Sequence, residues 1–249
     1  MPRPTHPWLP TTVKGKFFYW TMMTDIYSRK RVANEMHASE TSELAACLLV
    51  NGCLREGLAG SPLVLHLDDG AAIKGSTMLA AMQNLGVMSS FSRPRVSNDN
   101  AYAESLFRTA KYCALWPEKP FDTLAEARTW VQRCVQWYNE EHRHSVIKYV
   151  TPAQRHRGGA PALLRDRSAV YEAARRRQPL RWSSGQIRNW MLSEVVWINP
   201  ERPLNCGQKQ KAARMVHATT TLKIAVTMGG RPVAPVRTAN VRYRGEVRT

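Results

Sequence analysis

The chain has 249 residues, of which 43% are apolar, so it is long enough for one large domain or for one domain with an appendage. Its formal net charge of +17 favours a polyanionic partner and argues against a cationic one. No apolar run approaches the roughly 20 residues that a membrane-spanning helix needs, so we expect no span and no membrane partner.

The charge is distributed unevenly along the chain. Residues 1–150 carry 17 Lys and Arg against 14 Asp and Glu, a net of +3, whereas residues 151–249 carry 19 against 5, a net of +14. This contrast predicts a nearly balanced N-terminal domain followed by a strongly basic segment that suits nucleic acid. A membrane surface is less favoured, because no amphipathic basic helix stands out.

The cysteines and the first ten residues indicate the compartment. Five cysteines form no CxxC pair, which indicates free thiols in a reducing cytosol and neither a disulfide framework nor a zinc site. The opening MPRPTHPWLP is polar and interrupted by proline, so we expect no signal peptide and a cytoplasmic location.

Strands and helices alternate in the first part of the chain. Two aromatic and β-branched stretches flank residues 25–30 (DIYSRK), which predicts an antiparallel hairpin. Residues 40–57 have helical spacing, and residues 61–70 (SPLVLHLDDG) read as a continuously apolar strand of a parallel sheet. A second helix over 76–86 and a short strand over 87–92 follow.

The stretch 98–112 (NDNAYAESLFRTAKY) predicts a helix that begins at good N-cap residues. Glu104, Arg108 and Lys111 follow one another at spacings of four and three, so they share one face of this helix. The opposite face can point inward; it consists of Tyr102, Leu106 and Cys113.

Residues 123–145 predict a long amphipathic helix. Its apolar face is expected to comprise Ala125, Trp130, Val131, Cys134, Val135 and Tyr138. The order hairpin, helix, strand, helix, strand, helices predicts an α/β domain over residues 1–150, with a mixed sheet flanked by helices.

The rest of the chain is predicted to form a basic C-terminal extension. Residues 151–159 (TPAQRHRGG) read as a linker, and residues 161–179 predict a basic helix. Three arginines occupy its last turn, where cations suit the helix dipole: Arg175, Arg176 and Arg177. A solvated face and a phosphate-binding site both remain open for them.

Beyond the basic helix the signals weaken. Residues 181–203 predict a small β element, so we expect the second unit to cover residues 151–203. From 204 to 249, Gly, Pro, Arg and Thr dominate without periodicity, which predicts an irregular or disordered basic tail.

The spacing of Asp68 and Glu104 suggests a metal-binding site. Asp68 and Asp69 end the strand LVLHL, where open α/β sheets place their active sites, and adjacent strand side chains point oppositely. Thirty-five residues separate Asp68 from Glu104, enough for an excursion that returns Glu104 to the same edge. Carboxylates gathered there would hold Mg²⁺ or Mn²⁺; solvated acids at loop ends remain the alternative.

The amino-acid sequence around these acids indicates a family more specifically than their spacing does. LHLDDG, VSNDNAYAESLFRTAKY, FDTLAEARTWVQRCVQWYNEEHRHSVIKYVTPAQRHRG and their spacing closely resemble the integrase catalytic core of bacterial insertion-sequence transposases. The resemblance runs from about Trp8 to Pro203. It carries the DD(35)E pattern on Asp68 and Glu104, and a YNxxRxHS-like ending that includes Arg143.

This resemblance implies a ribonuclease H-like fold in the retroviral-integrase superfamily. It also implies Mg²⁺- or Mn²⁺-dependent cleavage and joining of DNA, with Asp68 and Glu104 as catalytic metal ligands and Arg108 and Lys111 facing DNA phosphates. The implied partners are double-stranded DNA, both element ends and target, and further copies of the chain. The implied location is the bacterial nucleoid.

One position departs from the family pattern. The family places a first aspartate in a central strand written W-x-x-D-[IV]-T, and alignment puts Thr5 there. Asp25, the first aspartate of the chain, matches a family position that is not a ligand. We therefore expect impaired metal binding and an incomplete first strand. The start of the chain is mis-set or truncated, or an upstream-frame DNA-binding protein of the same element accompanies it.

Three functions follow from this sequence. In the first, the chain is a transposase that carries out metal-dependent strand cleavage and transfer. The missing aspartate puts this activity in question. Alternatively, the chain is a non-catalytic DNA-binding remnant that inhibits intact subunits. A stand-alone hydrolase of the ribonuclease H type shares the acids but would not need the basic C-terminal part.

Overall fold

Strands dominate residues 8–40, and helices dominate residues 101–177. A computed structural model describes residues 8–58, 60–67, 75–91, 101–193, 196 and 223–227, and for 101–104, 106 and 223–227 it describes the backbone alone. The elements are β1 (Trp8–Pro10), β2 (Phe17–Asp25), β3 (Arg31–His37), α1 (Ser42–Arg55), β4 (Leu63–Leu67), α2 (Ser76–Asn84), β5 (Val87–Phe91), α3 (Ala101–Lys111), α4 (Leu124–Glu140), α5 (Pro152–His156), α6 (Ala160–Arg177) and β6 (Lys223–Thr227).

The predicted hairpin is confirmed in β2 and β3. The strands pair antiparallel from Tyr19 opposite His37 to Thr24 opposite Arg31, with one irregularity after Met23. The last six residues of β2 are buried, so this strand lies inside the domain.

The sheet is mixed and holds β4 near its centre. β4 runs parallel to β5 on one side and to β6 on the other, and β6 runs antiparallel to β2. β6 lies within the tail that was predicted to be irregular, so that prediction is wrong for residues 223–227. A five-residue strand gives a weak local signal, and long-range pairing decides whether it forms.

Helices cover both faces of the sheet, as predicted. On one face, α1 and α2 pack over Met23 and the apolar residues of β4. On the other face, α3 and α4 pack over Trp20 and Met22. The helix α1 comes close to the sheet at Gly52, because a Cβ there would lie 3.1 Å from the Ala33 Cβ. A larger residue at position 52 would therefore push α1 away from the hairpin.

The apolar face of α4 differs from the prediction at one position. Ala125 is exposed, and Ala127 is buried in its place. The other core positions of this helix are buried or half-buried as predicted, and the half-buried Trp130 meets Trp20 edge to face at 5.9 Å. The N-cap is Thr123, whose side chain accepts a hydrogen bond from the Glu126 amide at 3.2 Å.

The predicted linker at 151–159 is wrong for its first part, because residues 152–156 form α5. The Thr151 hydroxyl accepts from the Gln154 amide at 3.2 Å, and the Gln154 side chain accepts from the Thr151 amide at 2.9 Å. This reciprocal capping box, followed by Pro152 at the first helical position, starts a helix locally. Pro152, Ala153 and Arg155 are buried.

The basic helix is confirmed as α6. It packs through Ala160 and Leu164 in a small cluster with Ile147, Val150 and Trp190. The structure describes no strand between residues 181 and 193, so the predicted β element is absent from that part. The division into units at residues 150 and 203 stays a prediction. None of the helices in the described ranges combines the length and apolarity that crossing a membrane requires.

Candidate metal and DNA-binding site

The candidate site lies where β4 ends. All five residues of β4 are buried, and its neighbours β5 and β6 run in the same direction. Parallel strands of open α/β sheets present their carboxyl ends at one edge, which is where such folds bind ligands. Asp68 follows Leu67 directly in the sequence but lies outside the described residues. Its role as a metal ligand stays a prediction.

The predicted helix around Glu104 is confirmed as α3. Glu104 is the fourth residue of this helix, and only its backbone is described. Arg108 is exposed one turn later, and Lys111 is half-buried, with its Nζ 5.6 Å from the centre of the Tyr112 ring. Since Ala110 is buried in the core, α3 turns one face inward and leaves Arg108 on the other.

Arg143 lies in the loop that follows α4, and its side chain is exposed. The histidines on either side of it are held by the fold. His142 stacks on Tyr138 with ring centres 5.5 Å apart, and the His144 Nδ1 accepts from the Val146 amide at 3.3 Å. Burial, followed by the charge of Arg29, lowers the pKa of His144 to about 4. His144 is therefore a neutral cap at neutral pH, and Arg143 supplies the positive charge between the two histidines.

The three arginines at the end of α6 differ in their surroundings. Arg175 donates from Nε to both Glu172 carboxylate oxygens at 3.1 Å and from Nη1 to the Gly185 carbonyl at 3.3 Å. Arg176 is exposed, with its Nε 3.9 Å from Glu172, and Arg177 is exposed as well. Arg175 thus braces the turn after α6, while Arg177 faces solvent.

A buried polar cluster that sequence reasoning missed surrounds Asp25 at the end of β2. Its carboxylate accepts from the Tyr27 amide at 3.0 Å and from the Ser28 amide at 3.2 Å. The His156 Nδ1 lies 3.1 Å from Asp25 Oδ2, and its Nε2 lies 2.8 Å from Glu56 Oε2. Lys30 completes the cluster, with its Nζ 2.8 Å from Glu56 Oε1.

The sheet register separates Asp25 from the edge where β4 ends. Asp25 lies opposite Ile224 of β6, which in turn lies opposite Leu65 of β4. That position is three residues before Asp68 along the strand, or about 10 Å at the usual rise. Because its carboxylate is also occupied by Ser28 and His156, Asp25 does not substitute for the missing aspartate.

A pair of hard divalent ions would need a specific set of donor atoms at this edge. Such ions take oxygen ligands, and a two-metal site needs carboxylates that neutralise both charges. Within the described ranges, no group of three or more His, Cys, Asp or Glu is placed to hold an ion. The acids that the family pattern assigns to this edge are Asp68 and Glu104, whose side chains lie outside the described residues. These two acids are one carboxylate fewer than the family pattern has, and their role as metal ligands stays a prediction.

Comparisons with known proteins find one matching family model and a similar transposase. Residues 85–152, which include Glu104, Arg108, Lys111 and Arg143, match the family model described as Integrase core domain. The transposase for insertion sequence element IS904 from Lactococcus lactis subsp. lactis (strain IL1403) is 29% identical over 146 residues. The match covers 58% of this chain and 56% of that protein, so the chain spans about half the length of this relative.

Among solved structures, the chain is similar to one in a cryo-EM structure of the simian T-cell lymphotropic virus intasome in complex with PP2A regulatory subunit B56 gamma. The identity is 17%, the TM-score is 0.46, and 60% of this chain and 51% of that chain are covered. The sheet order and the integrase-core match confirm the predicted α/β, ribonuclease H-like fold class. The chain is therefore similar to insertion-sequence transposases, and over residues 85–152 it matches an integrase core domain.

Proposed function

We propose that this chain acts in DNA transposition, by binding double-stranded DNA at the edge of the sheet where β4 ends. The observation that carries this proposal is the placement of charge on α3. Glu104 lies in the first half of the helix, Arg108 is exposed one turn later, and Lys111 follows. The family pattern assigns Glu104 to metal-dependent DNA cleavage. The two cations, Arg108 and Lys111, suit the phosphates of a DNA strand bound beside it.

The reaction that we assign to the family site is cleavage of a phosphodiester bond and joining of the strand to a new position. Asp68 and Glu104 are the proposed catalytic residues, and Mg²⁺ or Mn²⁺ is the proposed ion. Because the donor set is one carboxylate short, we propose that metal binding by this chain is impaired and that cleavage by the chain alone is lost or strongly reduced.

Arg143 and the end of α6 extend the proposed DNA contact beyond α3. Arg143 is exposed after α4, and Arg176 and Arg177 are exposed at the C-terminal end of α6. Phosphate contacts of this kind give affinity and register but little sequence specificity. The proposed assembly is a multimer of this chain on element ends and target DNA, and the product of an upstream reading frame is a proposed further partner.

DNA binding can be measured without assuming catalysis. Fluorescence anisotropy with a labelled duplex of an element end should give a dissociation constant that rises steeply with salt. Arg108→Gln and Lys111→Gln should each weaken binding several-fold, because each removes one phosphate contact. Arg133→Gln on the exposed face of α4 serves as the charge-matched control. Equal effects of all three changes, or affinity that is indifferent to salt, would argue against a site on α3.

A second candidate function is that of a non-catalytic DNA-binding chain that joins intact subunits and blocks them. The sequence feature that favours it is the threonine at position 5, where the family pattern has its first aspartate. Incubation of the chain with labelled element ends and Mg²⁺ separates the two functions. We expect no cleavage. Cleavage that disappears in Glu104→Gln would establish the enzyme, and a stand-alone hydrolase would instead cut DNA that lacks element ends.

A further inference from the structure

The middle strand of the sheet is assembled from both ends of the chain. β3 pairs along one edge of β2, and both β1 and β6 pair along the other edge. β1 lies opposite residues 17–19 of β2, with Trp8 opposite Tyr19, and β6 lies opposite residues 22–25, with Thr227 opposite Met22. Both run antiparallel to β2, so they point in the same direction and lie end to end.

β6 also fixes the position of its last residue relative to β4. It runs parallel to β4, and Val226 lies opposite Leu67. The next residue of β6 is Thr227, and the next residue after Leu67 in the sequence is Asp68. Two neighbouring parallel strands therefore reach the functional edge together, one ending in a threonine and the other followed by an aspartate.

The register of β1 leads to the same position independently. Trp8 lies opposite Tyr19, so a strand that continued β1 upstream would meet Met22 three residues earlier, at sequence position 5. Position 5 is the one that alignment gave to the missing aspartate, and it lies outside the described residues. The structure places Thr227 opposite Met22. Two separate registers thus identify one place in the sheet.

We propose that residues 223–227 serve as this chain's own middle strand, and that Thr227 occupies the sheet position of the absent metal-binding carboxylate. The position assigned to Thr227 rests on the proposed function, whereas the role of residues 223–227 as a strand does not. β6 restores the sheet but not the ligand.

The role of β6 as the middle strand has a physical consequence for the fold. Without β6, the facing edges of β2 and β4 would each present unpaired backbone N–H and C=O groups in the middle of the sheet, and buried backbone groups require partners. β6 therefore contributes to the stability of the whole core, although it is separated from Ser193 by 29 residues. A proline at its centre should break this pairing, since proline has no N–H to donate.

Ala225→Pro tests the strand. Ala225 lies opposite Thr24 on one side and opposite His66 on the other. We expect Ala225→Pro to lower the melting temperature by several degrees and to accelerate proteolysis of β2, whereas the control Ala225→Ser, which keeps the N–H, should melt close to the wild type. An unchanged melting temperature in Ala225→Pro would overturn the assignment of β6 as the middle strand.

Thr227→Asp tests the position. Calorimetry with Mn²⁺ alone should show affinity raised about tenfold or more over the wild type, because the third carboxylate completes the oxygen donor set. Without metal this variant should melt lower than the wild type, since it adds a charge to a strand inside the sheet, and Mn²⁺ should reverse the loss. Thr227→Asn is the control of equal size without the charge.

The outcomes separate this inference from the proposed function. Mn²⁺ affinity that is equal in Thr227→Asp and Thr227→Asn would overturn the placement of Thr227, whatever the DNA measurements give. A gain that is lost again in Thr227→Asp combined with Glu104→Gln would support one shared site. If the gain is found but no variant binds DNA, the proposed function fails and the metal-site inference stands.

Discussion

His156 and Asp25 are 131 residues apart in the sequence, and the His156 Nδ1 lies 3.1 Å from the Asp25 Oδ2. The other ring nitrogen of His156 lies 2.8 Å from Glu56. One side chain of the short helix α5 therefore contacts the last residue of β2 and the residue that follows α1. This contact fixes the first helix beyond the proposed catalytic domain onto the hairpin, and it makes the attachment dependent on the charge of His156.

The stability of the protein should fall as pH rises above neutrality, because of His156. Hydrogen bonds with Asp25 and then with Glu56 raise the pKa of His156 from 6.5 to about 9. A raised pKa in the folded state gives stability that is fully present below pH 6.5 and is lost as pH rises through 9. Urea denaturation at pH 6 and at pH 9.5 should differ by roughly 2 kcal/mol from this group, because a pKa unit corresponds to about 1.4 kcal/mol and solvent screens part of it.

His156→Gln is the matched variant for this measurement. Glutamine keeps hydrogen-bonding capacity but does not titrate, so the difference between wild type and variant should be large at pH 6 and small at pH 9.5. At low pH, Glu56 should affect stability in the opposite direction, because its pKa is lowered. Burial opposes its charge, but hydrogen bonds with His156 and Lys30 lower its pKa to about 2. Its contribution is thus present above pH 4.5 and lost as pH falls through 2. A difference between wild type and His156→Gln that does not change with pH would contradict the prediction.

Asn139 should be one of the most sensitive positions of α4. Its side-chain oxygen accepts from the Arg31 amide at 2.9 Å, and its side-chain nitrogen donates to the Arg31 carbonyl at 3.0 Å. Asn139→Leu leaves both buried backbone groups of Arg31 without this partner, so the free energy of unfolding should fall by about 3 kcal/mol. Gln136→Ala, on the exposed side of the same helix, should change it by less than about 0.5 kcal/mol. Chemical denaturation of both variants checks this, and equal effects would mean that the bonds carry no stability.

Local sequence signals found the elements whose packing follows their own periodicity. The continuous apolar run of β4 and the helical spacing of α1, α3 and α4 are visible in short windows, because one buried face decides each element. Asn139 and Arg143 were noticed through the family motif, but the role of Asn139 as a bond to Arg31 depends on where β3 lies. No local pattern contains that information.

The misses have identifiable causes. The capping box of Thr151 and Gln154, with Pro152 between them, was a local signal of a helix start that the reading of residues 151–159 as a linker overlooked. The roles of Asp25 and β6 had no such signal. Asp25 acts through His156, and β6 exists because β2 and β4 offer it two edges at once. The metal-binding roles of Asp68 and Glu104 stay predictions.

Arg177 should contribute more to DNA binding than Arg175 does, although both lie in the last turn of α6. Arg175 donates hydrogen bonds to Glu172 and to the Gly185 carbonyl, whereas Arg177 is exposed. Arg177→Gln should weaken DNA binding and reduce the slope of log affinity against log salt by about 0.9, since one phosphate contact is lost. Arg175→Gln should leave that slope nearly unchanged. Anisotropy titrations at several salt concentrations give both slopes, and a larger change for Arg175 would place the DNA on the other side of α6.

Among the four described cysteines, only Cys47 should react readily with iodoacetamide in the folded protein. Cys47 is exposed on α1, whereas Cys53, Cys113 and Cys134 are buried. A hydrogen bond from Cys134 lowers the pKa of Cys113 to about 7, which would favour the reactive thiolate. However, the Cys113 side chain is enclosed between α3 and α4, with only 8% of it exposed, so access and not the pKa should limit its alkylation.

Mass spectrometry of peptides after timed labelling at pH 7.5 measures this directly. Cys47 should be modified first, and Cys113 should follow only at the rate of unfolding, which moderate urea should accelerate. Cys47→Ser serves as the control, because it should remove the fast phase without changing the slow one. Fast labelling of Cys113 without denaturant would mean that the C-terminal end of α3 opens while the rest of the core stays folded. Since α3 also carries Glu104, such opening would make the position of the proposed metal ligand variable in the free protein.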